Sequence, residues 1–346
     1  MMRPDVHIAG VGGYFPKAVP VDEAIANGDY STQAQEQTGQ RRVAIVGEDD
    51  TLPTMAVHAG RRALDRSRHA PGDVGLLLHA ATSYNGLDGW NIGSYLQKEI
   101  LDGAGLSFEV RQLSNGSVGS VELAARYLAA TPETQAAMIT AADQFTEPYW
   151  NRWTSNMGMV FGDGASAAVL SRQGGFARVL SVVTETAPEL EPLHRGSQPF
   201  QPGPAADQFP VSLWMRSLEC YDEMDPDDVA DRMVRGLCAS ANGAAEEAGI
   251  AIDDAARYVV PSFGRELVEK ECLGPLGIDV DRTTWDWGMD VGHCGTADHF
   301  GGLSHLAESG HLDQGDRVVL ISVGGGFNWT TIVLEILESP DHWAAK

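Results

Sequence analysis

No run in this sequence is long enough to cross a bilayer. Apolar runs such as Val74–Leu78 and Val318–Val323 stop after five or six residues, against the ~20 a spanning helix needs. The start, Met1-Met2-Arg3-Pro4-Asp5, lacks the apolar core of a secretion signal. No membrane partner is therefore expected, and a cytoplasmic location is. Cysteine is scarce: Cys220, Cys238, Cys272 and Cys294 show no CxxC spacing, which excludes a disulfide framework and predicts free thiols. Basic residues are outnumbered, 24 Lys and Arg against 48 Asp and Glu, and a formal charge of −24 repels nucleic acid phosphates. It also disfavours broad docking on an acidic carrier protein. The local cluster Arg61, Arg62, Arg66 and Arg68 reads either as a docking patch or as a solvated helix face. A third glycine is missing after Gly10-Val11-Gly12-Gly13, and Pro16 interrupts the helix that would have to start there, so a dinucleotide fingerprint is excluded.

What is present is an alternation of short apolar segments with longer helix-like ones, the pattern of an α/β protein. Strands are expected at Val6–Val11, ending at Gly12-Gly13, and at Val74–Ala81, Ala137–Ala142, Tyr258–Pro261 and Arg317–Val323. The glycine-punctuated stretch Val160–Leu170 reads as a hairpin-like strand pair. Helices are expected over 53–67, Ser117–Ala130, Asp228–Ala248 and part of Leu303–Gly310. The third of these places Val229, Met233, Val234, Leu237 and Ala241 on one face. Six prolines between about 186 and 211 predict a long irregular loop. The strand–helix rhythm is similar before and after about residue 173.

Three segments carry a family resemblance. Phe161-Gly162-Asp163-Gly164-Ala165-Ser166-Ala167-Ala168-Val169-Leu170, Gly324-Gly325-Gly326-Phe327-Asn328-Trp329, and Thr38-Gly39 with Arg41-Arg42 and Thr54-Met55 resemble the FGDGAxAAVL, GGGFxW and TGIxxR signatures of ketosynthase III enzymes. They occur in family order and spacing over almost the whole chain. The resemblance implies an α/β thiolase-like fold: two pseudo-symmetric halves, residues 1–173 and 174–346, in a five-layered α-β-α-β-α arrangement, usually as a homodimer. It places Gly325 and the amide of Ser114 at an oxyanion hole.

The family's acyl-accepting cysteine aligns with Ser114 in Phe108-Glu109-Val110-Arg111-Gln112-Leu113-Ser114-Asn115-Gly116. A serine hydroxyl needs an adjacent base; alone it reads equally as a helix cap or a dead site. The family histidine is absent, since the matching stretch is Val260-Pro261-Ser262-Phe263. The family asparagine is replaced by His293 in Gly292-His293-Cys294-Gly295-Thr296-Ala297-Asp298. A serine that gains a histidine follows serine-hydrolase logic, with His293 as base, Asp298 as the group that orients it, and His194 within reach from the proline-rich loop. This pattern is similar to the serine-type priming ketosynthases of anthracycline-type aromatic polyketide pathways, with acyltransferases as a neighbouring branch.

The expected substrates are thus acyl-CoA or an acyl carrier protein thioester, with no permanently bound cofactor. The leading expectation is priming: a short starter, propionyl above all, loaded on Ser114 and condensed with malonyl carrier protein. The alternatives are plain acyl transfer and a silent chain-length-factor-like subunit. Gln33 and Gln37 stand where the family's adenine-clamping side chains would be, leaving Arg41 and Arg42 as candidate phosphate contacts. His293, Cys294, His299 and His305 fall close together but fit no common zinc spacing, so no metal is expected.

Overall fold

The glycines of the first strand decide what packs on it. In the computed structural model, which describes residues 5–101, 103, 105–203 and 206–343, strand β1 spans His7–Tyr14 and does not end at Gly12-Gly13. A Cβ at Gly12 would stand 2.6 Å from Ala59 O and 2.8 Å from Ala63 N, and one at Gly10 2.8 Å from Ser67 N. The bare backbone lets helix α1, Leu52–Ser67, lie directly on the strand. That helix starts where it does because Thr51 and Thr54 cap each other reciprocally, with proline in the first turn. The glycine cluster is a packing device.

Apart from a small separate hairpin of Ala18–Pro20 with Arg42–Ala44, the other strands are β2 Val74–Ala80, β3 Leu106–Val110, β4 Ala136–Asp143, β5 Gly164–Ser171, β6 Ala177–Thr186, β7 Arg257–Val259, β8 Arg317–Gly324 and β9 Asn328–Ile336. Among the described residues these nine form one sheet in the order β3-β2-β4-β5-β1-β6-β9-β8-β7. Its weakest seam is between β1 and β6, where only His7↔Arg178 and Ile8↔Ala177 pair. The seam divides the sheet into two limbs.

Three further helices complete the layers: α2 Gly116–Ala130, α3 Pro226–Ala248 and α4 Asp298–Glu308. The inward residues of both limbs share one core with α2 and α4, including Leu76, Leu78, Val118, Val121, Phe300, Leu303, Leu320 and Ile332. Outward residues pack elsewhere, as a two-residue period requires: Leu77 and Met138 against α1, Val319 and Val333 with the α3 residues Leu237 and Ala241. The result is α1, first limb, α2 with α4, second limb, α3, the five-layered thiolase-like arrangement expected from the resemblance.

Several local expectations need correction. Val160–Leu170 is not a strand pair; β5 alone is a strand, sandwiched antiparallel between β1 and β4, and residues 160–163 have another use described below. On α3 the buried face runs through Val229, Leu237, Ser240, Ala241, Ala244 and Ala245, leaving Val234 38% exposed. The small residues Gly236 and Ala241 let the helix settle onto β9, where the Trp329 ring fills the space beside Gly236. The proline-rich stretch is not wholly irregular: turns at Pro188–Leu190 and Ala206–Gln208 flank a short helix, Pro192–Arg195. It is anchored by buried Leu190 and Leu193.

Candidate active site

Ser114 sits on a sharp turn between β3 and α2. Leu113 adopts a left-handed φ of 46°, uncommon for a side chain with a Cβ, and this bend carries Ser114 to the start of the buried helix. Its Oγ lies 2.9 Å from His293 Nε2. His293 Nδ1 lies 2.6 Å from Asp298 Oδ2. The structure thus joins Ser114, His293 and Asp298 into one hydrogen-bonded line, with His293 and Asp298 3% and 1% exposed and Ser114 more open.

Each member is held by backbone. Asp298 is the first residue of α4, where a carboxylate is favoured by the helix amides. Its Oδ2 also accepts from Ser262 N at 2.8 Å and its Oδ1 from Cys294 N at 2.8 Å. Burial works to raise this carboxyl, but His293 and the Ser262 amide outweigh it and hold Asp298 below the usual carboxylate range. With the Nδ1 proton directed at that carboxylate, Nε2 is the nitrogen left to accept from the Ser114 hydroxyl. Residues 160–163 clamp His293: its amide donates to Val160 O at 2.8 Å, and Gly162 N donates to its carbonyl at 3.0 Å. Gly162 must lack a side chain because Val291 O and Cys294 Sγ occupy the space.

Two buried aspartates that sequence reasoning did not single out support this frame. Asp163 accepts from Val46 N and Phe145 N and pairs with Arg152 at 2.9 Å; it lies inside the FGDG motif, which was its signal. Asp143, at the end of β4, accepts from Thr82 N, Ser83 N, Thr296 N and Thr296 Oγ1. It fastens the turn that presents His293 to the first limb. A single aspartate closing an apolar strand gave no sequence signal.

The other predicted residues fall as follows. His194 is half-buried on the short helix Pro192–Arg195, its ring 4.9 Å from that of Phe327 and its Nδ1 pressed against Gly325 without a hydrogen-bond partner. Burial, with Arg216 nearby, lowers its pKa to about 4, so the ring is neutral at physiological pH. It makes no hydrogen bond to Ser114, His293 or Asp298. The Gly324–Gly325 turn packs on the Ser114 turn: a Cβ at Gly324 would lie 2.8 Å from Asn115 N, and one at Gly325 2.5 Å from Leu113 Cδ1. Ser262 aligns with the family histidine but serves through its backbone, while the Phe263 ring stands edge-on to His293 at 5.1 Å.

Arg41 is occupied by Asp286 and Asp290, both at 2.8 Å, and those carboxylates raise its pKa. Arg42 is exposed and donates to Ala18 O; Gln33 and Gln37 are exposed. In the basic cluster, Arg61 engages Glu99, Arg62 and Arg66 engage Glu308, and Arg68 lies 3.5 Å from Glu338. Among the described residues no group of three His, Cys, Asp or Glu side chains is placed to hold a metal ion. His299 bonds Ile321 O and His305 stacks on Trp287. Among the same residues no helix is long and apolar enough to cross a membrane.

A five-layered α/β fold with Ser114 at the start of a buried helix, in line with His293 and Asp298, defines the class: an acyl-transferring enzyme of thiolase type. Models of the 3-oxoacyl-[acyl-carrier-protein] synthase III family match residues 108–188, and residues 245–336 for the C-terminal part. The chain belongs to that family. Curated relatives include beta-ketoacyl-[acyl-carrier-protein] synthase III of Roseobacter denitrificans, 27% identical over 94% of this chain and 98% of the relative. The enzyme of the same name from Chelativorans sp. is 24% identical over the same shares. Among solved structures, ChlB3, described as an acyltransferase, is 33% identical with a TM-score of 0.92, covering 97% of this chain and 99% of that one. The priming beta-ketosynthase of the R1128 polyketide pathway, at 22% identity, TM-score 0.77 and 98% coverage of each chain, shares the fold.

Proposed function

We propose that this chain is an acyltransferase that takes an acyl group from a CoA or carrier-protein thioester onto Ser114 and passes it, without condensation, to a second substrate. The observation that carries the reading is the unbroken line Ser114–His293–Asp298. His293 accepts the hydroxyl proton as Oγ attacks the thioester carbonyl. The amides of Ser114 and Gly325 stabilise the oxyanion, and the thiol leaves with the proton from His293. The acyl ester is then attacked by a nucleophile whose proton His293 takes in turn and returns to Ser114 Oγ as the ester bond breaks. Asp298 keeps the ring in the competent tautomer throughout.

A hydroxyl or thiol acceptor fits better than a carbanion. The position where the resemblance puts a second imidazole holds Ser262, whose amide is engaged by Asp298. The similarity to ChlB3 supports the same choice. The exposed Gln33 and Gln37 and the carboxylate-bound Arg41 give no support to an adenine and phosphate clamp, which favours a carrier-bound donor.

A second reading, priming by decarboxylative condensation of malonyl carrier protein with a propionyl starter, is favoured by one observation. The neutral His194 beside Gly325 supplies an imidazole N–H for an enolate. The silent-subunit reading is opposed by the intact triad.

We further assign the two halves to residues 1–173 and 174–346, since the first-limb strands end at Ser171 and the second-limb strands begin at Ala177. Assembly as a homodimer completes the proposal.

The test is intact-protein mass spectrometry after incubation with short acyl-CoAs and acyl carrier proteins. One acyl group of added mass, absent in Ser114→Ala and slow to appear in His293→Ala, supports the covalent route and names the donor. Release of CO2 and a 3-ketoacyl product with malonyl carrier protein would replace plain transfer by priming. No adduct from any donor would overturn both.

A further inference from the structure

Asn115 follows the nucleophile, is fully buried, and occupies the N-cap position of α2. Asparagine there ordinarily accepts from the first amides of its own helix. This one does not. Its Nδ2 donates to Gln112 Oε1 at 2.8 Å, within its own turn, and to Thr330 Oγ1 at 2.9 Å, across the molecule on β9. Thr330 Oγ1 lies 3.0 Å from Thr184 Oγ1 on β6. The Asn115 Oδ1 has no partner, although leaving a buried polar atom unpaired is costly.

The tie lies where the turn bearing Ser114 packs on the turn bearing Gly325, the residues of the two candidate oxyanion donors. Ser114 N belongs to the first half of the chain and Gly325 N to the second. The turn bearing Gly325 connects β8 to β9, and Thr330 lies on β9, directly opposite Ser322 of β8. Gly324 leaves room for Asn115 Cβ and N, both 2.8 Å from where its own Cβ would stand. The Asn115–Thr330 bond thus fixes the Ser114 turn against the hairpin that carries the other donor.

We infer that Asn115 is a positioning residue that, through Thr330, sets the spacing of the Ser114 and Gly325 amides. The inference rests on the acyl-enzyme reading above. Oxyanion donors act as charge develops in the transition state, so misplacing one lowers the rate of acylation and leaves donor binding unchanged.

The experiment measures the acylation rate constant and the half-saturating donor concentration by quenched mass spectrometry, with thermal melts alongside. The variants are Asn115→Ala, Thr330→Val, Thr330→Ser and the Ala/Val double. The expected result is a rate fall of about 10–100-fold in Asn115→Ala and in Thr330→Val, below the ~10²–10³ of losing a donor outright. Half-saturation stays unchanged, the double variant is no slower than the slower single, and Thr330→Ser keeps the wild-type rate. Unchanged rates in folded variants, losses that multiply in the double, or a loss confined to half-saturation would overturn the inference. If Asn115→Ala fails to fold, the near-isosteric Thr330→Val and Thr330→Ser pair decides alone. Absence of a wild-type adduct on Ser114 would sink the acyl-enzyme reading itself, whereas a wild-type adduct with indifferent variants would sink the role of Asn115 only.

Discussion

His293 Nδ1 stands 2.6 Å from Asp298 Oδ2, and the same carboxylate takes two backbone amides, from Ser262 and Cys294. Three donors on one buried carboxylate fix its position before any substrate arrives. Asp298→Asn would retain the shape but present an amide to Nδ1, favouring the tautomer with its proton on Nε2. That nitrogen could no longer accept from Ser114. Acylation should slow by about 10³–10⁴-fold, checked by rapid-quench mass spectrometry, and the melting temperature should fall too, since the NH2 must face a buried backbone N–H. A loss below tenfold would show that Asp298 does not orient the base.

A thiol asks less of its base than a hydroxyl does, because its ordinary pKa is about 8.5 and a fraction is already ionised at neutral pH. Ser114→Cys should therefore still acylate. In that background Asp298→Asn should cost fewer-fold than it costs the serine enzyme. Equal losses in the two backgrounds would mean that the Asp298–His293 pair acts on something other than the nucleophile's proton.

Much of this was legible in the sequence, and the reason differs from residue to residue. Ser114, His293 and Asp298 were readable because glycine motifs on either side fixed the register of the chain, and within that register a histidine had appeared at a position normally held by asparagine. The α/β class followed from strand–helix alternation, and the five layers from the family resemblance. Strands β3, β6 and β9 were missed, and β5 was overdrawn into a pair because glycine reads as a turn signal even where, as at Gly164, it makes room for the Phe15 ring. Asp143, Asn115 and the amide of Ser262 lay beyond reach for another reason. Their partners are 153, 215 and 36 residues away in the chain, and a hydrogen bond across such a separation leaves no periodic trace. Arg41 was readable as a cation but not as one already paired.

Two histidines bury themselves at the expense of their protonated forms. Burial pushes His79 down to about 3, and His194, beside Arg216, to about 4, from an ordinary value near 6.5. Below about pH 6.5 the unfolded chain binds a proton at each site that the folded chain refuses, so stability falls as pH falls. The fall ends only when the folded histidines protonate in turn, near pH 4 and pH 3. Each contributes a slope of up to about 1.4 kcal/mol per pH unit within its window. Urea unfolding from pH 7 to pH 4.5 should show this decline, and His79→Gln should make it shallower by about one proton's worth. An unaltered slope in the variant would remove His79 from the account.

The proposed homodimer is argued from the free edge of the sheet. β3 pairs on one side with β2 only and ends the order of strands. Leu106 and Phe108 lie opposite Leu76 and Leu78, hence on the inward face, yet they are 47% and 53% exposed. Leu123 of α2, the helix that packs under this edge, is 53% exposed as well. Open edges invite strand pairing and are ordinarily blunted by charge, proline or a bulge. Here an open edge carries, besides the single charge of Glu109, two exposed apolar side chains, next to a helix with an apolar flank. A twofold-related second copy would pair β3 with β3 and cover all three residues. Light scattering should give the mass of two chains for the wild type and of one for Phe108→Glu. Because β3 leads within four residues to Ser114, the monomeric variant should also acylate more slowly. A wild type that is monomeric at micromolar concentration and fully active would break this link between the open edge and the nucleophile.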